Sequence, residues 1–250
     1  MNLRLHTAVE HVETPAPDAP PPQHTELVDR LLARAPEEPD APAPDLVALV
    51  YAVPDPQGHK TTASYLNHRT GGAAHGFALT DQGVGGPFTA LRVADAYART
   101  GRCSAPMVAV VESGGTAGAT AASGVLLRLD GRTGFGLADT ATVPVARLAE
   151  AWAELVPERG RLLLVLGPGT DPGAAPAERT DVRAAPTDSS CTAVWRLLAR
   201  EAESWRGRYA TVALCAVDPA TGTGHLAVLR DLDACEPPAG DTEEEGARHG

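Results

Sequence analysis

Phe77-Ala78-Leu79-Thr80-Asp81-Gln82-Gly83-Val84-Gly85-Gly86-Pro87-Phe88 runs from an apolar extended segment through a glycine-rich turn into the start of a helix. Pro87 suits a first helical turn, where its missing N–H would have no intrahelical partner anyway. Beyond it Phe88, Leu91, Val93, Ala94 and Tyr97 recur at near-helical spacing until Gly101 ends the run, and Pro106 to Val111 reads as a second apolar strand. A strand that turns sharply into a helix places the turn at a helix N-terminus, where free N–H groups and the macrodipole favour negative charge. Many enzymes seat a nucleophile there. The residue in that seat is Val84, which has no nucleophilic atom.

Working outward, Leu46 to Val53 is an uninterrupted apolar run of strand length, as expected of a strand buried on both faces. Thr61 to Thr70 reads as a helix ended by Gly71-Gly72, and Glu26 to Ala35 as a short one. Leu3 to Val12 alternates and is expected as an outer strand, followed by the proline-rich connector Pro15 to Pro22. Gly124 to Leu129, the turn Asp130 to Thr133 and Gly134 to Thr140 read as a hairpin. After Pro144 the order restarts. Val145 to Leu155 is an amphipathic helix, Arg161 to Leu166 a buried strand, and Asp171 to Asp188 a surface excursion. Ser189 to Trp205 is a helix with Asp188 or Ser189 as N-cap, and Tyr209 to Val217 pairs with His225 to Leu229 across a turn. Both halves contain helix, strand, helix, strand and a closing hairpin, a duplication of pattern that predicts a layered α/β fold. The expected division is 1–142, 143–235 and an acidic, disordered tail over 236–250.

With 250 residues, 43% of them hydrophobic, the chain can bury a full core. Its net charge of −11 opposes non-specific contact with nucleic acid or an anionic membrane surface. Cys103, Cys191, Cys215 and Cys235 form no CxxC pair, so neither a zinc site nor a disulfide framework is signalled, and His59 with His68 is a weak metal spacing. No apolar run has the length of a membrane span or the form of a signal peptide, so a cytoplasmic protein without cofactor or metal is expected.

The segments Asp45 to Pro54, Phe77 to Leu91, Ala105 to Glu112, Ala122 to Asp130 and Thr192 to Leu229 resemble the thiolase-like β-ketoacyl synthases, above all the ketoacyl-acyl carrier protein synthase III branch. The resemblance implies a thiolase-like, duplicated five-layer α-β-α-β-α fold, here reduced in size. It also implies a cysteine at the start of a buried helix that takes an acyl group, with a histidine and a second histidine or asparagine from the second half polarising the thioester oxygen. In this sequence Val84 falls at the cysteine, and the loops that would supply the partners read Gly167-Pro168-Gly169 and Pro186-Thr187-Asp188-Ser189. No histidine lies between Phe77 and Gly224, and the only asparagines are Asn2 and Asn67.

Gln82, two residues before Val84, is similar to the glutamine that chain-length-factor subunits carry in place of the cysteine, although a turn residue bonding nearby backbone is the plainer reading. Gln82, Gly83, Val84, Gly85 and Gly86 are the candidate substrate-binding residues. The expected function is that of a degenerate, non-condensing partner subunit or acyl-carrier scaffold in polyketide- or fatty-acid-type biosynthesis. The resemblance implies dimerisation through the strand after the nucleophile helix, here Ala105 to Val111, as a homodimer or with an active ketosynthase; that apolar strand would also be a liability as an exposed edge. The rival is a repurposed acyltransferase or thioesterase using His75 and Asp81, or Cys191 activated at a helix start.

Overall fold

The central strands of the chain send alternate side chains into two different cores. Leu46, Ala48 and Val50 join one cluster while Val47 and Leu49 join a second. Leu163 and Val165 return to the first while Leu162, Leu164 and Leu166 enter a third. Strands buried on both faces must lie between helical layers. In the computed structural model, which describes residues 3–14, 20–53, 62–114, 119–176 and 178–232, they do so.

The first half contains β1 (Arg4–Glu13), α1 (His24–Arg34), β2 (Leu46–Tyr51), α2 (Thr62–Arg69), β3 (His75–Leu79), α3 (Gly86–Arg99), β4 (Pro106–Glu112) and β5 (Ala122–Asp130). The second contains β6 (Phe135–Pro144), α4 (Leu148–Glu154), β7 (Leu162–Leu166), β8 (Thr180–Ala184), α5 (Ala193–Trp205), β9 (Thr211–Asp218) and β10 (Thr223–Arg230). The strand order is β3-β2-β4-β5-β1-β6-β10-β9-β7-β8, so each half repeats one five-strand order and the two meet at β1 and β6. Helices α1 and α2 cover one outer face, α4 covers the other, and α3 and α5 fill the space between the halves. This is the expected five-layer arrangement. The repeat begins at β6, so residue 142 falls inside a strand rather than at a boundary.

Several local expectations change. Leu3 to Val12 does not form an outer strand: β1 sits mid-sheet, pairing antiparallel with β5 over most of its length and with β6 through Arg4 and Leu5. Gly124 to Thr140 is not a hairpin, because Leu5 pairs with Leu129 on one side and Phe135 on the other. The turn chemistry is right, with Asp130 accepting from the Arg132 N–H at 2.9 Å, but the chain uses that turn to pass round the end of β1. Gly134, at φ 104°, makes this possible by lying against the Leu5 carbonyl, where no Cβ fits. The excursion from Asp171 to Asp188 contains β8, paired in parallel with β7. Ala105 to Val111 is no edge either, since β4 is paired to β2 on one side and β5 on the other. Among the described residues the free edges are β3 and β8. The expected tail, His59 and part of the proline-rich connector lie outside the described residues.

Helix α5 starts at Ala193, four residues later than its pattern suggests, and neither Asp188 nor Ser189 caps it. A residue from the other half does. Glu112, at the end of β4 and only 3% exposed, accepts from the N–H groups of Ser190 (3.1 Å), Cys191 (3.3 Å) and Thr192 (3.2 Å) and from the Ser190 and Thr192 hydroxyls. A buried carboxylate at a helix N-terminus is stabilised by these donors and by the macrodipole. Arg196, one turn into α5 and 2% exposed, binds Asp188 (2.6 Å), Ser189 (2.8 Å) and Glu10 of β1 (3.3 Å). The two halves are thus joined by a buried carboxylate on neutral donors and by the Arg196–Glu10 ion pair as well as by apolar packing.

Candidate functional site

The glycine-rich turn forms a single turn of 3-10 helix over Gly83–Gly85 that runs straight into α3. Gln82 holds it through its carbonyl, which accepts from the Gly85 N–H at 2.9 Å, rather than through its side chain. Asp81, in the left-handed region at φ 59°, sets the entry. No side chain caps α3, and Pro87 occupies its first turn. Gly86 is needed for packing, because a Cβ there would lie 2.7 Å from Cγ1 of Val50. Val84 is half-buried against the central core.

What faces this turn is the end of the β9–β10 hairpin. His225 of β10 lies over Gly85, so that a Cβ added to Gly85 would sit 2.6 Å from Cε1 and 2.7 Å from Nε2 of the imidazole. Its Nδ1 is 3.3 Å from Oγ1 of Thr142, its register partner on β6. The ring stacks on Phe88 at 5.8 Å, and Phe88 in turn meets Trp195 of α5 edge-on at 4.9 Å. Desolvation lowers the His225 pKa below its ordinary value; Asp218 opposes this shift and Arg92 adds to it. Nε2 has no hydrogen-bond partner among the described residues, which leaves one ring nitrogen to serve a ligand.

The cleft between turn and hairpin measures about 340 Å³ and is lined by Asp81, Gln82, Gly83, Gly85, Asp218, Thr221, Thr223 and His225. Asp218 is occupied with its own turn, accepting from the Ala220 N–H and the Thr221 hydroxyl at 2.9 Å each, and the Thr221 hydroxyl is the main cause of its lowered pKa. The cleft's side chains bring carboxylate, amide, hydroxyl and imidazole groups, although apolar atoms make up the larger share of its surface. It can bind, orient and exchange a proton at His225, but it offers no thiol and no acyl-accepting side chain at the helix start. The two halves mirror each other here, since the β4–β5 end delivers Glu112 and Ser123 to the start of α5 while the β9–β10 end delivers Thr223 and His225 to the start of α3. One start is filled by an internal carboxylate. The other opens to solvent.

The remaining candidates are dispersed. His75 is exposed on β3 and stacks on Tyr97 at 5.8 Å, and no hydrogen bond or ion pair joins it to Asp81 among the described residues. Cys191 is 1% exposed, and burial with the neighbouring Glu112 pushes its thiol well above the ordinary value. The expectation of a dipole-activated thiol fails because Glu112 already takes the positive end of α5. Gly167 donates to the Cys215 carbonyl at 2.8 Å, and Asp188 and Ser189 bind Arg196, so both second-half loops serve the scaffold. Among the described residues no three His, Cys, Asp or Glu side chains converge as a metal site, and no helix is long and apolar enough to cross a membrane. Sequence reasoning missed His225, whose only signal is the glycine run that permits close approach at position 85.

No family model and no curated protein sequence matches the chain. Solved structures do. 3-Oxoacyl-(acyl carrier protein) synthase III of Pseudomonas aeruginosa superposes with a TM-score of 0.66 at 12% identity, covering 92% of this chain and 98% of the other. The Thermus thermophilus β-ketoacyl-(acyl carrier protein) synthase III gives 0.63 at 18%, with the same coverage. A tetronic acid condensing enzyme gives 0.67 at 13%, covering 91% and 99%. At such identities the likeness shows a shared thiolase-like fold of condensing enzymes, and the fold alone.

Proposed function

We propose that this protein, built on the thiolase-like fold, is a non-condensing partner of an active ketosynthase, or a scaffold for carrier-bound intermediates, in polyketide- or fatty-acid-type biosynthesis. The observation that supports this most is the start of α3: Val84 stands in the turn, and the space above Gly85 is taken by the His225 ring. An acyl-enzyme intermediate needs a nucleophile and donors aimed at the thioester oxygen. Here the second-half loops spend their polar groups on Cys215 and Arg196 instead.

The partner docks on the free edge of β3, whose His75, Gly76 and Ala78 are exposed and which among the described residues pairs with β2 alone. A free edge strand is a ready template for a second strand. The test is co-expression with an active ketosynthase, followed by pull-down and a condensation assay on acyl and malonyl thioesters. Co-purification with no product from the protein alone is expected. Condensation by the isolated chain, or failure to retain any ketosynthase, overturns the reading.

A further inference from the structure

The second free edge of the sheet is surrounded by arginines. Asp181 of β8 is bound by Arg161 Nη2 at 2.5 Å and by the Tyr209 hydroxyl at 2.7 Å, and the Arg208 guanidinium lies 5.1 Å from the Tyr209 ring centre. Arg183 follows Asp181 by two residues and so shares its face of the strand. Arg161 and Arg208 both act electrostatically on Asp181, and Arg183 and Arg208 on Tyr209. Two exposed guanidiniums therefore bear on that carboxylate and a third on the tyrosine bound to it. Neither Arg183 nor Arg208 forms an ion pair among the described residues. Beside them Val182 is 39% exposed on an unpaired edge.

The chain leaves the fold at the same place. Asp231 donates its N–H to the Ala210 carbonyl at 3.1 Å and accepts from the Gly207 N–H at 2.6 Å, bracketing Arg208 and Tyr209. Residues 233–250, outside the described set, hold Asp233, Glu236, Asp241, Glu243, Glu244 and Glu245 against Arg248 alone. From Leu232 to Asp241 the backbone reaches at most about 30 Å. A covalent tether of that length raises the effective concentration of the acids at this edge. A separate acidic partner would instead have to approach against the chain's net charge of −11.

We propose that the acidic segment 241–245 docks within the same molecule on Arg161, Arg183 and Arg208 and covers the β8 edge. Arginine forks match carboxylates bidentately, and a charged cover over an edge strand blocks sheet-to-sheet association. The site is independent of the α3 cleft and of the partner reading.

The test uses the full chain carrying Cys235→Ser and Thr242→Cys, with a nitroxide on the new thiol; Cys103, Cys191 and Cys215 are buried and leave that thiol as the labelling site. Amide broadening at Thr180–Ala184 and at Gly207–Tyr209 is expected at low salt. Raising the salt from about 20 to about 500 mM should reduce it by about threefold or more, because screening weakens exposed pairs. Arg183→Ala with Arg208→Ala, and separately Glu243→Gln with Glu244→Gln and Glu245→Gln, should do the same at low salt. The arginine changes are on exposed side chains, and the glutamine set leaves the described fold untouched. Broadening that ignores salt and both variant sets, or none above that of a freely moving label, overturns the proposal. So does broadening seen only between labelled and unlabelled copies in a mixture.

Discussion

At the scale of single residues, Gly85 and His225 form one unit. The backbone of Gly85 is at φ −78°, which any residue adopts, so alanine there is opposed by the imidazole and not by conformation. Gly85→Ala should cost about 1–3 kcal/mol by overpacking. Adding His225→Ala should recover most of that loss, a coupling read from urea denaturation of the four proteins in the cycle. Acid should expose the same contact. The folded pKa of His225 lies below its ordinary value of 6.5, so on acidification the unfolded chain takes up the proton first. The stability linked to neutral His225 is therefore complete above that pH and is lost as pH falls beneath it. His225→Gln should flatten this dependence when denaturation midpoints are compared between about pH 5 and pH 8. Val84 is legible in the sequence because its seat is defined by neighbouring residues. His225 is not, because it reaches the turn from some 140 positions away, through strand pairing with Thr142 that no local spacing announces.

At the scale of elements, the start of α5 shows why some boundaries could not be read. A serine and an aspartate before an apolar helical run are a sound N-cap signal, yet the donors of that turn are satisfied by Glu112 from a strand in the other half. Glu112→Ala leaves three N–H groups and the Ser190 hydroxyl without their acceptor, while Thr192 keeps Ser123, and should destabilise by about 3–5 kcal/mol, since each buried donor left unpaired costs about 1–3 kcal/mol. Glu112→Gln keeps the shape, loses the charge and should fall between the two in urea midpoint. A substitution without effect would show that the cap is incidental. The hairpin expected over Gly124 to Thr140 fails for a related reason: turn chemistry is local, whereas the strand inserted beside the turn comes from the amino end. Strand β8 escaped notice because Thr-Asp-Val-Arg-Ala alternates over too short a run, with Val182 and Ala184 as its only apolar residues, to stand out from the polar segment around it.

At the scale of the molecule, the duplicated layering was legible because β2, β4 and β7 are apolar runs buried on both faces and segments of helical pattern recur between the strands of each half. What pattern alone does not give is which strands end the sheet, and that decides how the protein can meet another. Ala105 to Val111 is apolar because it lies mid-sheet, so its hydrophobicity is explained without a partner. Of the two free edges, the one proposed for the partner is β3, where Gly76 and Ala78 are exposed. If two such edges pair antiparallel, a charge placed at Ala78 is brought near its counterpart or desolvated against the partner, and either outcome is unfavourable. Ala78→Lys should therefore weaken retention of a co-expressed ketosynthase, or self-association, by about tenfold, the factor that corresponds to roughly 1.4 kcal/mol. Its own unfolding midpoint should shift little, since exposed substitutions usually change stability by less than about 0.5 kcal/mol. Sedimentation of the purified complex measures the first quantity and urea denaturation of the isolated chain the second. An unchanged complex would place the docking surface away from β3, whereas a destabilised chain would show that Ala78 serves the fold.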